Sequence, residues 1–305
     1  MFFACFVISC SINPIVDKLE KKMPRTIATY IVIFGLLAIV LLIFVPVCTI
    51  SLQEIKVFAV NFPKYVDKFD DYLLKIPFFN HFSTFAVDFN NIMDTASNSS
   101  ADILNNVLNI SKNIGSAVIY MLISIIIIFN MVCDKTRIKN FYLHVFPSNL
   151  RNKAEEIGLI ISNKMGGYLI ALITTMFGVG FVMWLGLEIL HIHYALLLGI
   201  ITGVFDIVPI VGPFFALIVC LITTYQFGFE TIMAVLIIFA IAQITENNFV
   251  RPFVFGKFLQ LHPLVVFLFL LLAAKFMGVI GVIFAPAVAA LVVVLFEELY
   301  LKNLD

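Results

Sequence analysis

The 305-residue chain is 62% hydrophobic and 12% charged, with 33 Phe, a formal net charge of zero and a mean hydropathy of +1.08. Soluble domains carry roughly 45–50% apolar and about 25% charged residues, so the composition excludes an ordinary soluble enzyme, a disordered chain and a nucleic-acid binder that works through a basic surface. It fits an all-α polytopic membrane helix bundle, because a helix of about 20 residues satisfies its own backbone across some 30 Å of hydrocarbon.

The first apolar run, Met1 to Ile12, makes only about 18 Å of helix and does not cross alone. It lacks the positive leader and cleavage site of a signal peptide, so it is expected to be the end of a longer helix. Ile27 to Ile50 is the first stretch of full length, which places the N-terminal membrane part over residues 1–50. Between the two apolar runs, 13–25 holds four basic residues, Lys18, Lys21, Lys22 and Arg25. Basic residues in short loops mark the cytoplasmic side.

Residues 51–113 carry seven acids and five bases and are rich in Asn, Ser and Asp, so they are expected outside the membrane. Phe58, Phe62, Tyr65 and Phe69 recur there at helical spacing, which predicts an amphipathic helix on the membrane or against the bundle, with a solvated loop as the alternative. The triplets Asn98-Ser99-Ser100 and Asn109-Ile110-Ser111 match glycosylation acceptors, a pattern frequent by chance. Next, 114–164 combines a span, Ile114 to Val132, with a loop holding six basic residues, Lys135, Arg137, Lys139, Arg151, Lys153 and Lys164, again expected in the cytoplasm.

The C-terminal part, 165–305, is expected to be a transport core. Met165 to Leu190 and Thr231 to Val250 are of single-span length, whereas two segments, 194–225 and 262–296, are longer and interrupted. The first contains Gly199, Gly203, Asp206, Pro209, Gly212 and Pro213; the second has Gly278, Gly281 and Pro286 between Leu264 to Ala274 and Ala287 to Phe296, with Lys275 at the start of the break. Proline removes a backbone donor and glycine tolerates unusual backbone angles, so both helices should break. Broken backbone in hydrocarbon survives only against protein or a watery cavity, and such breaks often mark transport sites. Each segment is predicted to be a re-entrant hairpin, the two in opposite orientation; two short spanning helices would return the chain to the same side.

Ionisable residues inside an apolar bundle cost several kcal/mol unless paired or hydrated. Glu188, His191, His193 and Glu230 fall near predicted helix ends, where headgroups hydrate them. His191 and His193, two apart, would face opposite sides of a helix, which argues against a shared metal. The candidate solute or ion pathway is Asp206, Pro209, Gly212 and Pro213 at the first break, the polar stripe Gln243, Glu246 and Asn247, and Lys275, Gly278 and Gly281 at the second. The competing reading is a structural polar network in which Lys275 neutralises Asp206 or Glu246. Gly199-x-x-x-Gly203 and Gly281-x-x-x-Ala285 suit close helix approach. Five Cys without a C-x-x-C pair read as small buried hydrophobes. No metal site, cofactor, nucleotide-cradling loop or catalytic constellation is expected.

Several motifs in sequence order carry a family likeness: Asn13-Pro14-Ile15 with Leu19-Glu20 and Met23-Pro24-Arg25; Phe205-Asp206-Ile207-Val208-Pro209-Ile210-Val211-Gly212-Pro213; Glu246-Asn247-Asn248-Phe249-Val250-Arg251-Pro252 through Gly256-Lys257; Leu261-His262-Pro263-Leu264; Gly278-Val279-Ile280-Gly281; and Ala285-Pro286. Together they resemble the autoinducer-2 exporter family of bacterial inner-membrane proteins over nearly the whole chain. The resemblance implies a multi-pass transporter of about eight membrane segments in the bacterial cytoplasmic membrane, embedded in lipid and forming a homo-oligomer. It also implies a small polar solute of the furanosyl signalling type, with H+ or Na+ exchange as the variant activity. The family normally begins with a further apolar segment, and its second break is normally neutral where this chain has Lys275. A membrane scaffold that uses 51–113 to hold a partner is the reading from a different class.

Overall fold

The computed structural model describes residues 1–74, 118–208, 211–250 and 262–299. Among these the chain is helical without strands. In chain order the helices are α1 (Phe2–Glu20), α2 (Arg25–Leu74), α3 (Val118–Cys133), α4 (Lys135–His144), α5 (Arg151–Ile189), α6 (Ala195–Phe205), α7 (Val211–Thr224), α8 (Phe229–Thr245) and α9 (Pro263–Leu299). A 3-10 turn, Tyr225–Phe227, follows α7 and a π turn, Glu246–Val250, follows α8. Five helices are long and apolar enough to cross a membrane, or six if α3 and α4 form one bent span. The fold is the expected all-α polytopic bundle with two interrupted helical segments.

Three expectations about element limits change. α1 runs past Ile12 to Glu20 with Pro14 inside it, because Asn13 is buried and hydrogen-bonded rather than hydrated in a loop. α2 does not stop near residue 50 but continues to Leu74, a length of about 75 Å. α5 starts at Arg151 rather than near Met165, and its early polar turns pack instead of facing water: the Ser162 hydroxyl reaches the Cys10 sulfur at 3.5 Å, and Ser11 donates to the Gly166 carbonyl at 3.1 Å. The triplets around Asn98 and Asn109, and most of 51–113, lie outside the described residues.

The chain divides into two compact units. The first comprises 1–42, 119–175 and 246–305. Its core is built from Cys5, Ile12, Val16, Ala28, Val32, Ile33, Ile128 and Val132, contributed by α1, α2 and α3. One cation ties the ends of these helices together: Arg25 Nε donates to the Val132 carbonyl at 2.8 Å, and its guanidinium reaches Asp17 at 2.9 Å, Glu20 at 2.6 Å and Asn13 at 3.0 Å. Lys135 closes on the same Asp17 at 2.7 Å. A planar guanidinium with five donors satisfies this many acceptors at once, which an ammonium does not.

The second unit comprises 43–118 and 176–245. Its core is Val179, Met183, Leu187, Ile192, Ala195, Leu198, Cys220, Val235 and Ala242, from α5 to α8. A side chain at Gly199 would meet Trp184 Cβ at 2.7 Å and one at Gly203 the Met176 carbonyl at 2.5 Å, so this pair brings α6 close to α5. The extension of α2 belongs here: Phe62 is buried against Ile222, and Phe58 packs edge-on to Tyr194 with ring centres 5.6 Å apart. The amphipathic spacing of Phe58, Phe62 and Tyr65 therefore marks a helix that lies against protein.

Candidate functional site

The first break is a short one. α6 ends at Phe205 and α7 begins at Val211. The freed amides turn back on the helix they leave: Asp206 N bonds to the Thr202 carbonyl at 3.1 Å, Ile207 N to Val204 at 3.3 Å and Val208 N to Phe205 at 3.0 Å. These three amides are therefore occupied by carbonyls of α6. Gly212 and Pro213 are not inside the break but in the first turn of α7, where a proline loses no helical bond because that turn's N–H groups lack carbonyl partners. A methyl on Gly212 would overlap the Phe205 carbonyl oxygen, so only glycine lets the two arms close. Pro209 lies outside the described residues.

Asp206 caps the C-terminus of α6 and is buried, 6% exposed. That end of a helix concentrates partial negative charge, so a carboxylate there is at the unfavourable pole. Beside it, Thr202 is buried, donates to the Leu198 carbonyl at 2.7 Å and lies 3.8 Å from the Cys220 sulfur of α7. Thr223 and Thr224, at the other end of α7, are also buried and return their hydroxyls to the Val219 and Cys220 carbonyls at 2.6 and 2.7 Å.

The expected stripe on α8 is only partly realised. Glu246 is buried at 2% exposure, and the Gln243 amide nitrogen is enclosed without a hydrogen-bond partner among the described residues. Asn247 is exposed, because Glu246–Val250 forms a π turn whose wider winding shifts the faces that regular spacing would align.

In the second segment the break sits at Gly278 alone, whose φ of 61° and ψ of −145° lie in a region reserved for glycine. Helix resumes at Ile280, so the expected break through to Pro286 is too long. Pro286 is accommodated inside the helix, where the buried Tyr168 hydroxyl donates to the nearby Ile283 carbonyl. Gly281 packs back on the Ala273 carbonyl, so it closes the kink itself. Lys275 is exposed and forms no ion pair among the described residues, so it does not neutralise a buried acid.

His191 and His193 do not lie on a helix. They occupy the turn between α5 and α6, where His191 and Tyr194 adopt positive φ of 53° and 66°. The sequence reading missed the residue that fixes this turn from outside it. Glu54 on α2 accepts a hydrogen bond from Leu197 N, in the first turn of α6, at 3.2 Å. A carboxylate at a helix N-terminus meets the favourable pole and an unpaired amide. Burial nevertheless holds the Glu54 carboxyl above its ordinary range, opposed by the Leu197 amide and reinforced by the charge of Glu188. Among the described residues no three His, Cys, Asp or Glu side chains cluster as a metal site.

Comparison with known proteins now adds to this geometry. The chain is 27% identical over 294 residues to the provisionally named transport protein YueF of Bacillus subtilis, covering 92% of this chain and 78% of that protein. It is 25% identical over 305 residues to a second Bacillus subtilis protein of similarly provisional transport name, YrrI, covering 97% and 85%. A sodium-lithium/proton antiporter of Halobacillus andaensis is 22% identical over 290 residues, covering 88% and 79%. The model of the AI-2E family transporter matches residues 1–301, and the chain belongs to that family.

Proposed function

We propose that this transporter exports a small polar solute of the autoinducer-2 type across the bacterial cytoplasmic membrane, and that Asp206 and Glu246 are the acids on its path. The observation that carries the reading is Asp206, a buried carboxylate at the negative pole of α6 beside a helix break. A carboxylate there opposes the helix dipole, and a solute hydroxyl or a coupling cation would offset that charge. The arms support a re-entrant segment: α6 and α7 span 11 and 14 residues, about 16 and 21 Å, both short of the hydrocarbon thickness. Gly278 gives the second segment its own hinge. In this mechanism the segment around Gly212 and Pro213 moves between inward-open and outward-open arrangements with Asp206 as its acid, and Gly278 and Gly281 allow the second segment a movement of its own.

The test is efflux of a furanosyl signalling solute from vesicles containing wild-type protein, Asp206→Asn or Glu246→Gln, with insertion checked in each. Wild-type efflux above empty vesicles and a drop of at least about tenfold in Asp206→Asn support the reading. Wild-type rates in both variants remove it. The antiporter relative makes Na+-driven proton movement the second assay. Proton movement without solute efflux would replace the exporter reading with exchange.

A further inference from the structure

α4 leaves α3 at an angle of 75° after Asp134, which sets it close to the membrane plane when α3 spans the bilayer. None of its ten residues is buried. Ile138, Phe141, Tyr142 and Val145 recur at intervals of three and four and are 46%, 76%, 39% and 70% exposed, so an apolar stripe runs along the outer face of the helix, with the Tyr142 ring at its edge beside Gly158 of α5. Leu143, on the opposite side of the helix, is half-buried. Basic residues flank the stripe on both sides. Lys135 and Lys139 on one flank are held by Asp17 at 2.7 Å and Glu155 at 2.5 Å, which anchors that edge to the unit. Arg137 on the other flank is exposed and has no ion pair among the described residues. The surrounding 133–164 segment holds six basic residues against three acidic ones.

We propose that α4 is an interfacial anchor for anionic phospholipid: its apolar stripe enters the acyl boundary of the cytoplasmic leaflet while Arg137 binds a lipid phosphate. A helix with this pattern pairs apolar burial with attraction to acidic headgroups. The guanidinium suits a phosphate in two-point geometry. Water as the stripe's environment would leave four large apolar side chains exposed along one line, and the basic flanks choose headgroups over a neutral protein face.

The experiment places a nitroxide on single cysteines at Thr136, Ile138, Phe141 and Val145, in protein freed of its native cysteines. Each is reconstituted in phosphatidylcholine vesicles with or without about a quarter phosphatidylglycerol. Collision with oxygen relative to a water-soluble nickel chelate reports depth. With phosphatidylglycerol, the ratio at 138, 141 and 145 should exceed that at 136 by about threefold or more, and Arg137→Gln should remove the part of the gain that phosphatidylglycerol adds. Chelate access at all four positions in both lipids would overturn the proposal, as would shielding of 138, 141 and 145 from both reagents, which would mean a protein covers the stripe. Hydrogen exchange of the wild-type α4 amides is the label-free check: slower exchange with phosphatidylglycerol supports the anchor, and equal exchange in both lipids overturns it.

Discussion

At the scale of single residues, the account turns on two carboxylates placed at opposite poles of α6. Asp206 stands at the C-terminus and Glu54 at the N-terminus. If Asp206 is retained for a solute rather than for the fold, Asp206→Asn should leave thermal unfolding in detergent unchanged or shifted upward while transport falls. A parallel loss of both would assign the residue to architecture. Glu54 gives a pH signature. Its folded-state carboxyl holds the proton more tightly than the unfolded chain does, so the stability linked to it is present below the ordinary glutamate value of about 4.3 and is lost as pH rises through the raised folded value. Thermal unfolding followed upward from that pH should decline less in Glu54→Gln than in the wild type. An identical slope in both would contradict this.

The position of Asp206 at a helix break was legible in the sequence, because a run of Gly and Pro surrounds it. Glu54 was not, because its partner amide lies 143 residues away and any of the seven acids of 51–113 looks equivalent in one dimension. Asn247 was placed on the path by helical spacing and Lys275 by its position at the start of the second break, and both are exposed. The π turn at Glu246 shifts the one, and Lys275 lies near a kink confined to Gly278.

At the scale of elements, glycine at the second break is a backbone requirement. Gly278→Ala forces a side chain into φ of 61° and ψ of −145°, which should cost about 1–3 kcal/mol and lower the unfolding temperature. Gly35→Ala is the control: it sits in α2 with nothing within 4 Å of an added Cβ, and should be neutral or stabilising by about 0.5–1 kcal/mol. Equal effects in the two variants would contradict a special backbone at Gly278. The same element shows what a composition-based reading does and does not supply. Two Gly/Pro clusters foretold two interruptions, but proline at the start of a helix and proline inside one have different consequences. Pro213 begins α7 without breaking anything, and Pro286 stays helical with Tyr168 reaching the nearby Ile283 carbonyl. Tyr168→Phe leaves that carbonyl without its hydroxyl donor and should cost about 1–3 kcal/mol, read as a lower unfolding temperature. No change would show that the hydroxyl does not contribute.

At the scale of the whole molecule, class and family follow from properties spread along the chain: apolar runs, basic loops and ordered motifs. Membrane placement was therefore legible, and the matching family model spans 1–301. Helix lengths were less so. α2 and α5 continue beyond their apolar stretches because their polar ends pack on protein, and hydropathy registers only the part that meets lipid. The central claim is that helix is interrupted around Asp206 because water and solute reach that depth. It is tested most directly by a single cysteine at Ile207 or Val208, in protein freed of native cysteines and held in sealed vesicles, challenged with a membrane-impermeant maleimide from each side. The account predicts labelling from at least one side and slower labelling when transported solute is present. Failure to react from either side, with a cysteine at His193 labelling readily in the same preparation, would contradict it.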